Sequence, residues 1–138
     1  MTAKTFVDSN ILIYAHDLAS KEKRLTAEAL LSELWANRNG VLSPQVLQEF
    51  YVNATRKLSK PLPRADARLI VEKYALWCID TTAAEVQMAF RIEDEARINF
   101  WDALICASAL KSGAKVILSE DMNAGQSIAG IQIENPFL

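Results

Sequence analysis

One histidine, four glycines and two cysteines are all that 138 residues supply, and each shortage closes a class of chemistry. With His16 alone, no pair of histidines can divide acid and base duties, so a two-histidine ribonuclease is excluded. A serine triad would have to use His16, and the GxSxG turn is missing. The few glycines build neither GxGxxG nor GxxxxGK[ST], so no dinucleotide fold or phosphate loop is supported. Cys78 and Cys106 fit no CxxC or CxxH spacing, which argues against zinc. Both sit in apolar company (Trp77-Cys78-Ile79 and Ile105-Cys106-Ala107) and read as buried, reduced thiols of a cytoplasmic protein. No signal-peptide apolar stretch and no run near the length of a membrane span is visible, so no membrane contact is expected.

Excess positive charge is lacking too. The net charge is −2, whereas nucleic-acid binders are ordinarily basic. That test is weak for a nuclease that gathers acids around a metal, because those acids are subtracted from its basic total. Apolar residues make up 51% of the chain, enough for a folded core. Nothing resembling a linker divides it, so a single domain over residues 1–138 is expected.

Strand-like and helix-like patterns alternate. Lys4–Asp8, "KTFVD", reads as a buried strand ending in an acid, followed by a short helical segment that Ser9 or Asn10 would cap. Glu22–Asn39 repeats Ala27, Leu30, Leu31, Leu34 and Trp35 at helical spacing, with Gly40 as its stop. "VLS" at 41–43 is a strand, and Ser43-Pro44 opens a helix to about Leu58. Its inner face carries Leu47, Phe50, Tyr51, Ala54 and Leu58. Arg64–Leu76 is helical, "WCID" at 77–80 is a strand, and Thr82 to about Arg97 is helical with Val86, Ala89, Phe90 and Ala96 repeating. Asn99 caps a helix Phe100–Ser112 that Gly113 closes. "KVILS" at 115–119 and "IQIENPF" near the C-terminus are strands. Such alternation predicts an α/β fold: a mainly parallel central sheet of about five short strands with helices on both faces.

With the other nucleophiles gone, carboxylates remain. Asp8 ends the first strand, where capping the next helix is at least as good an explanation as holding a ligand. Asp121 follows the strand at 115–119, and the carboxyl ends of parallel strands are where such sheets bind ligands. Asp102 shares a helix face with Ile105, Cys106 and Ala109; the helix dipole welcomes its charge but does not explain the apolar company. Glu49 borders a buried stripe, as single glutamates often do. Together, four acids at strand ends and helix margins could converge. Without a cation they would repel one another, and a hard divalent ion such as Mg²⁺ or Mn²⁺ would reverse that. Such a site activates water at a phosphodiester without histidine.

The segments "FVDSNILIYAHD", "LSPQVLQEFYVNATRK", "INFWDALICASALKSGA" and "VILSEDMNAGQSIAGIQIENPF" resemble the ordered motifs of PIN-domain proteins, most closely the VapC-like toxins of toxin–antitoxin pairs. The resemblance spans nearly the whole chain. It implies a three-layer sandwich and a metal-dependent endoribonuclease. Asp8, Glu49, Asp102 and Asp121 match the family's acids, Ser119 a supporting hydroxyl, and Ser9 and Asn10 the polar pair after the first acid. Glu120 is set aside as solvent-facing or a helper, because Asp121 stands two residues after Ser119 as the motif requires. A small antitoxin, a homodimer and an RNA substrate are implied as partners. A PIN-fold module that no longer cuts, and a receiver-type phosphoacceptor using Asp80, are the rival readings.

Three further features carry less weight. Arg56, Lys57, Lys60, Arg64 and Arg68 form a basic stretch broken by Asp66, either RNA-backbone contacts or a solvated loop. His16 reads as a capping or surface residue. Trp35, Trp77 and Trp101 read as core, since each lies at or near a buried stripe.

Overall fold

The computed structural model describes residues 3–138, so the first two residues of the expected domain lie outside it. Five strands form one sheet: β1 (Thr5–Val7), β2 (Gly40–Val41), β3 (Val116–Leu118), β4 (Ser127–Ile128) and β5 (Ile131–Glu134). Their order is β2-β1-β3-β5-β4, and only β4 with β5 is antiparallel. Around the sheet lie α1 (Ser9–Ala15), α2 (Lys21–Asn37), α3 (Pro44–Arg56), α4 (Arg64–Tyr74), α5 (Ala83–Ala96) and α6 (Phe100–Ser112). Consecutive strand residues point to opposite faces, and Phe6 and Val7 are both fully buried. Both faces of the sheet are therefore covered, as an α/β sandwich requires.

Local chemistry sets several boundaries. Asn99 Oδ1 accepts the Asp102 N–H at 2.9 Å, and Gly113 closes α6 at φ 78°. Thr82 and Glu85 form a capping box on α5. Glu85 is thereby turned inward to meet Lys111 of α6 at 3.2 Å. The buried stripe of α5 consequently runs through Glu85, Ala89 and Ile92. Phe90 and Val86, expected on that stripe, are instead exposed.

Other expectations also change. The cap of α1 is Asp8, not Ser9 or Asn10. Ser43 precedes α3 in extended conformation, but its hydroxyl makes no cap bond and is buried without a partner. Arg38, at φ 55°, ends α2 before Gly40 is reached. Gly40 serves a different need: a Cβ there would lie 2.8 Å from the Trp77 ring. "WCID" is no strand. The chain makes a 3-10 turn at Ala75–Trp77, and Cys78 pairs only through a single bridge to Leu42. Trp77 is committed to packing instead, with ring centroids 4.5 Å from Trp35 and 5.0 Å from Tyr74. Cys78 is half-buried, while Cys106 is fully buried.

β4 was not anticipated. Its turn places Ala129 (φ 53°) and Gly130 (φ 84°) between Ile128 and Ile131. Two positive-φ residues in a two-residue hairpin loop suit the twist of the strands. Alanine in the first of them hides the signal, since L-residues seldom adopt it.

Candidate active site

The sheet order decides where the site is. From β1 the chain crosses to β2 on one side and returns to β3 on the other, so strand order reverses between β1 and β3. Ligands collect at that point, beyond the carboxyl ends of the strands. Val7 lies opposite Leu118, and Asp8 N–H donates to Leu118 O at 3.0 Å. Asp8 and Ser119 are thus the next residues out on neighbouring strands, and Ser119 Oγ donates to Asp8 Oδ2 at 2.7 Å.

A cleft of about 520 Å³ opens here, and Asp8, Glu49, Asp102 and Asp121 all line it. Each comes from a different element. Asp8 both follows β1 and caps α1, with Oδ1 accepting the Ser9 N–H at 2.7 Å. The capping and site explanations for Asp8 are therefore compatible: one carboxylate oxygen meets the helix, the other meets Ser119. Glu49 comes from the polar face of α3, where Gln45, Gln48, Val52 and Asn53 also line the cleft at helical spacing. Asp102 sits in the first turn of α6, and Asp121 in the turn after β3.

Neutral donors hold these acids apart. Ser9 Oγ donates to Glu49 Oε1 at 3.0 Å, tying α1 to α3. Asn10 Nδ2 lies between Asp8 Oδ2 (3.4 Å) and Asp121 Oδ2 (3.3 Å), while Asn10 Oδ1 accepts the Glu120 N–H at 3.0 Å. Ser119 Oγ also accepts the N–H groups of Asp121 and Met122, at 3.2 and 3.4 Å. Asp102 Oδ2 accepts from Asn99 Nδ2 at 2.9 Å. Salt bridges reach none of the four acids among the described residues.

Uncompensated charge shows in the protonation energetics. Burial first, and then the negative charges of Glu49 and Asp121, raise Asp8 to about 6 despite opposing hydrogen bonds from Ser119 and Ser9. Burial, with Asp121 adding to it, also raises Asp102, against the Asn99 bond. The Cys106 thiol beneath is pushed up to about 12, by burial and then by Asp102 and Asp8, so it stays an inert core group. Among the described residues, no three His, Cys, Asp or Glu side chains are drawn tightly enough to form a ready metal cage. The donor chemistry nonetheless fits a hard divalent cation: oxygen ligands only, net negative, with an ion offsetting both the burial of Asp8 and the repulsion that adds to it. The four acids, with Asn10 Oδ1 already engaged elsewhere, are the groups that would hold it.

Glu120 is separated from this cluster, but not by exposure. Its carboxylate accepts from Tyr14 at 3.0 Å and pairs with Lys23 at 2.8 Å, away from the cleft. It is an anchor for the turn that bears Asp121. Arg56, Lys57, Lys60 and Arg64 of the basic stretch are all exposed, and of these Lys57 alone lines the cleft. His16 is the C-cap of α1, packs on Phe50 and lies outside the cleft. Asp80 is exposed and follows no strand, which removes the phosphoacceptor geometry.

Trp101 reverses its expectation: it is 61% exposed and lines the cleft. Gln45, Gln48, Val52 and Asn53 were not anticipated either. Stepping by three and four from Glu49 along α3 would have found them, and by the same step Lys57.

A search among curated protein sequences finds no match. Solved structures do match. A toxin–antitoxin complex from Klebsiella pneumoniae gives a TM-score of 0.69 at 19% identity, covering 96% of this chain and 98% of that one. DNA-bound VapBC from Salmonella typhimurium gives 0.65 at 21%, covering 98% and 99%. Mycobacterium tuberculosis VapC20, described as a sarcin-ricin loop cleaving toxin, gives 0.59 at 20%, covering 83% and 87%. These likenesses concern the fold. The sequence itself matches the family model of the PIN domain over residues 5–126, and the chain belongs to that family.

Proposed function

We propose that the protein is a divalent-metal-dependent endoribonuclease that hydrolyses RNA phosphodiester bonds, the toxin of a toxin–antitoxin pair. The observation that carries this reading is the convergence of four carboxylates from four elements on one cleft at the switch point of the sheet. The similar structures, toxin–antitoxin assemblies and a sarcin-ricin loop cleaving toxin, support the same class.

When bound, Mg²⁺ or Mn²⁺ supplies Lewis acidity, lowering the pKa of water and offsetting the charge that builds on the phosphate. The chain's own residues do the rest. Asp8 and Asp121 would hold the cation, and Asp102 and Glu49 would complete the donor set directly or through water. Ser119 and Asn10 fix the Asp8 and Asp121 carboxylates, and Ser9 orients Glu49. Lys57 meets the strand's phosphates. Ile13 and Ile105 form apolar parts of the cleft wall, which strengthens the electrostatics inside it. A small antitoxin that covers the cleft, and a homodimer, are the partners proposed.

The test is cleavage of a labelled RNA by the purified chain in Mg²⁺ or Mn²⁺, with EDTA and Asp8→Asn as controls. Cleavage abolished by both controls supports the reading. Cation binding by calorimetry without any cleavage would instead identify a non-catalytic module.

A further inference from the structure

Trp101 is a large aromatic residue left 61% exposed in the first turn of α6, one position before Asp102. Isolated exposed apolar residues are ordinary, but this one lines the acid cleft. It is also braced. Phe100 packs against its indole with centroids 5.1 Å apart at 74°, and Phe90 backs Phe100 at 5.7 Å. The Trp101 carbonyl accepts Gln45 Nε2 at 3.3 Å, and the same amide reaches Glu49 Oε2 at 3.3 Å. The indole is therefore supported from its own helix side and its backbone is tied to the helix that carries Glu49. From the C-cap of α3, Lys57 lines the same cleft, with no ion pair among the described residues.

We propose that Trp101 is a stacking platform for an unpaired nucleobase of the RNA strand held at the acids. The proposal rests on the nuclease reading and assigns a base-contacting residue within it. An indole takes any base by its π-face, and braced rigid aromatics do so at low entropic cost. A base inside a duplex has both faces occupied by its neighbours. The platform therefore selects single strands, loops or splayed nucleotides. Acids for the cation, Lys57 for phosphate and Trp101 for a base all line one cleft of about 520 Å³. The exposed aromatic row could otherwise seat a protein. Trp101's place in a cleft lined by four carboxylates and Lys57 favours a polyanionic strand with a cation over an apolar side chain.

The experiment uses the full chain in an Asp8→Asn background with Mg²⁺, which stops turnover. Fluorescence anisotropy compares a labelled single-stranded oligoribonucleotide with a strand of the same length lacking all bases. The parent is expected to prefer the base-bearing strand by about tenfold, the value of one stacked base. Trp101→Ala should remove most of that preference and leave affinity for the base-less strand unchanged. Trp101→Phe should keep most of it while losing the strand-dependent quenching of indole fluorescence. Thermal melts confirm that each variant is folded. A parent that does not distinguish the strands overturns the platform, as does a Trp101→Ala variant that weakens both strands equally. So does a Trp101→Ala variant that binds RNA normally but dissociates a dimer in sedimentation. Preference without cleavage by the unmutated chain keeps the platform and removes the nuclease reading. Cleavage without preference does the reverse.

Discussion

Ser119 Oγ donates to Asp8 Oδ2 at 2.7 Å across neighbouring strands, and the same oxygen accepts the Asp121 N–H. One fully buried hydroxyl thus links two acids that lie 113 positions apart in the chain. Ser119→Ala should leave the Asp121 and Met122 N–H groups without their acceptor and leave Asp8 Oδ2 with only the longer 3.4 Å bond from Asn10. A loss of about 1–3 kcal/mol in chemical denaturation is expected. Activity should fall at least about tenfold, with a higher Mg²⁺ concentration needed for half-maximal rate. Wild-type stability and metal response in the alanine variant would show that the hydroxyl organises nothing.

Asp8 makes the metal-free protein sensitive to pH. Its folded value of about 6 lies above the ordinary 3.8, so the folded chain holds this proton more tightly than the unfolded chain. The stability it contributes is complete below about pH 4 and is lost as pH rises through about 6. The gap is worth on the order of 3 kcal/mol. In EDTA, melting of the wild type should therefore decline relative to Asp8→Asn across that window. Mg²⁺ at neutral pH should restore the wild type and leave the asparagine variant largely unmoved. A pH-independent difference between the two proteins would contradict this account.

Glu120 and Asp121 are adjacent acids with separate tasks. Glu120 faces Tyr14 and Lys23, and Asp121 faces the cleft. Asp121→Asn should lower the cleavage rate by about a hundredfold or more, the scale of losing a group that stabilises transition-state charge. Glu120→Gln should keep the rate within a few-fold, because its pair with Lys23 lies outside the cleft and is partly solvent-screened. The opposite ranking would put the wrong acid in the site.

Gly40 offers a test of packing away from the chemistry. Trp77 is buried between Trp35 and Tyr74, so its ring cannot yield to a Cβ placed 2.8 Å away. Gly40→Ala should cost about 1–3 kcal/mol, read as a lower denaturation midpoint with the cleavage chemistry retained. An unchanged midpoint would mean that β2 can shift freely.

What the sequence made legible follows from where the signals are local. The α6 boundaries were readable because Asn99 and Gly113 act within one turn of the helix ends. The acids at 8, 49, 102 and 121 were readable as a group through motif resemblance; the parallel register of β1 and β3 brings Asp8 and Asp121 to one cleft, which α3 and α6 complete with Glu49 and Asp102. The missed features depend on distant partners. "WCID" has strand composition, but Trp77 is recruited by Gly40, Trp35 and Tyr74. Phe90 and Trp101 look like core residues in one dimension. The Glu85–Lys111 pairing instead helps set which face of α5 is buried.

The basic stretch yields a last prediction, because the fold divides it. Arg56, Lys57, Lys60 and Arg64 are close in sequence, yet only Lys57 lines the acid cleft. The N–H of Lys57 still bonds Asn53 O at 2.9 Å, fixing its backbone at the end of α3 while the ammonium remains free of ion pairs among the described residues. A phosphate neutralised by Lys57 would release counterions from the single strand, contributing about 0.7 to the slope of log affinity against log salt. Lys57→Gln should reduce that slope by about this amount and weaken binding at low salt most. Arg64→Gln, outside the cleft, should change the slope less. If the two substitutions act alike, the strand follows the whole basic surface and the cleft does not single out Lys57.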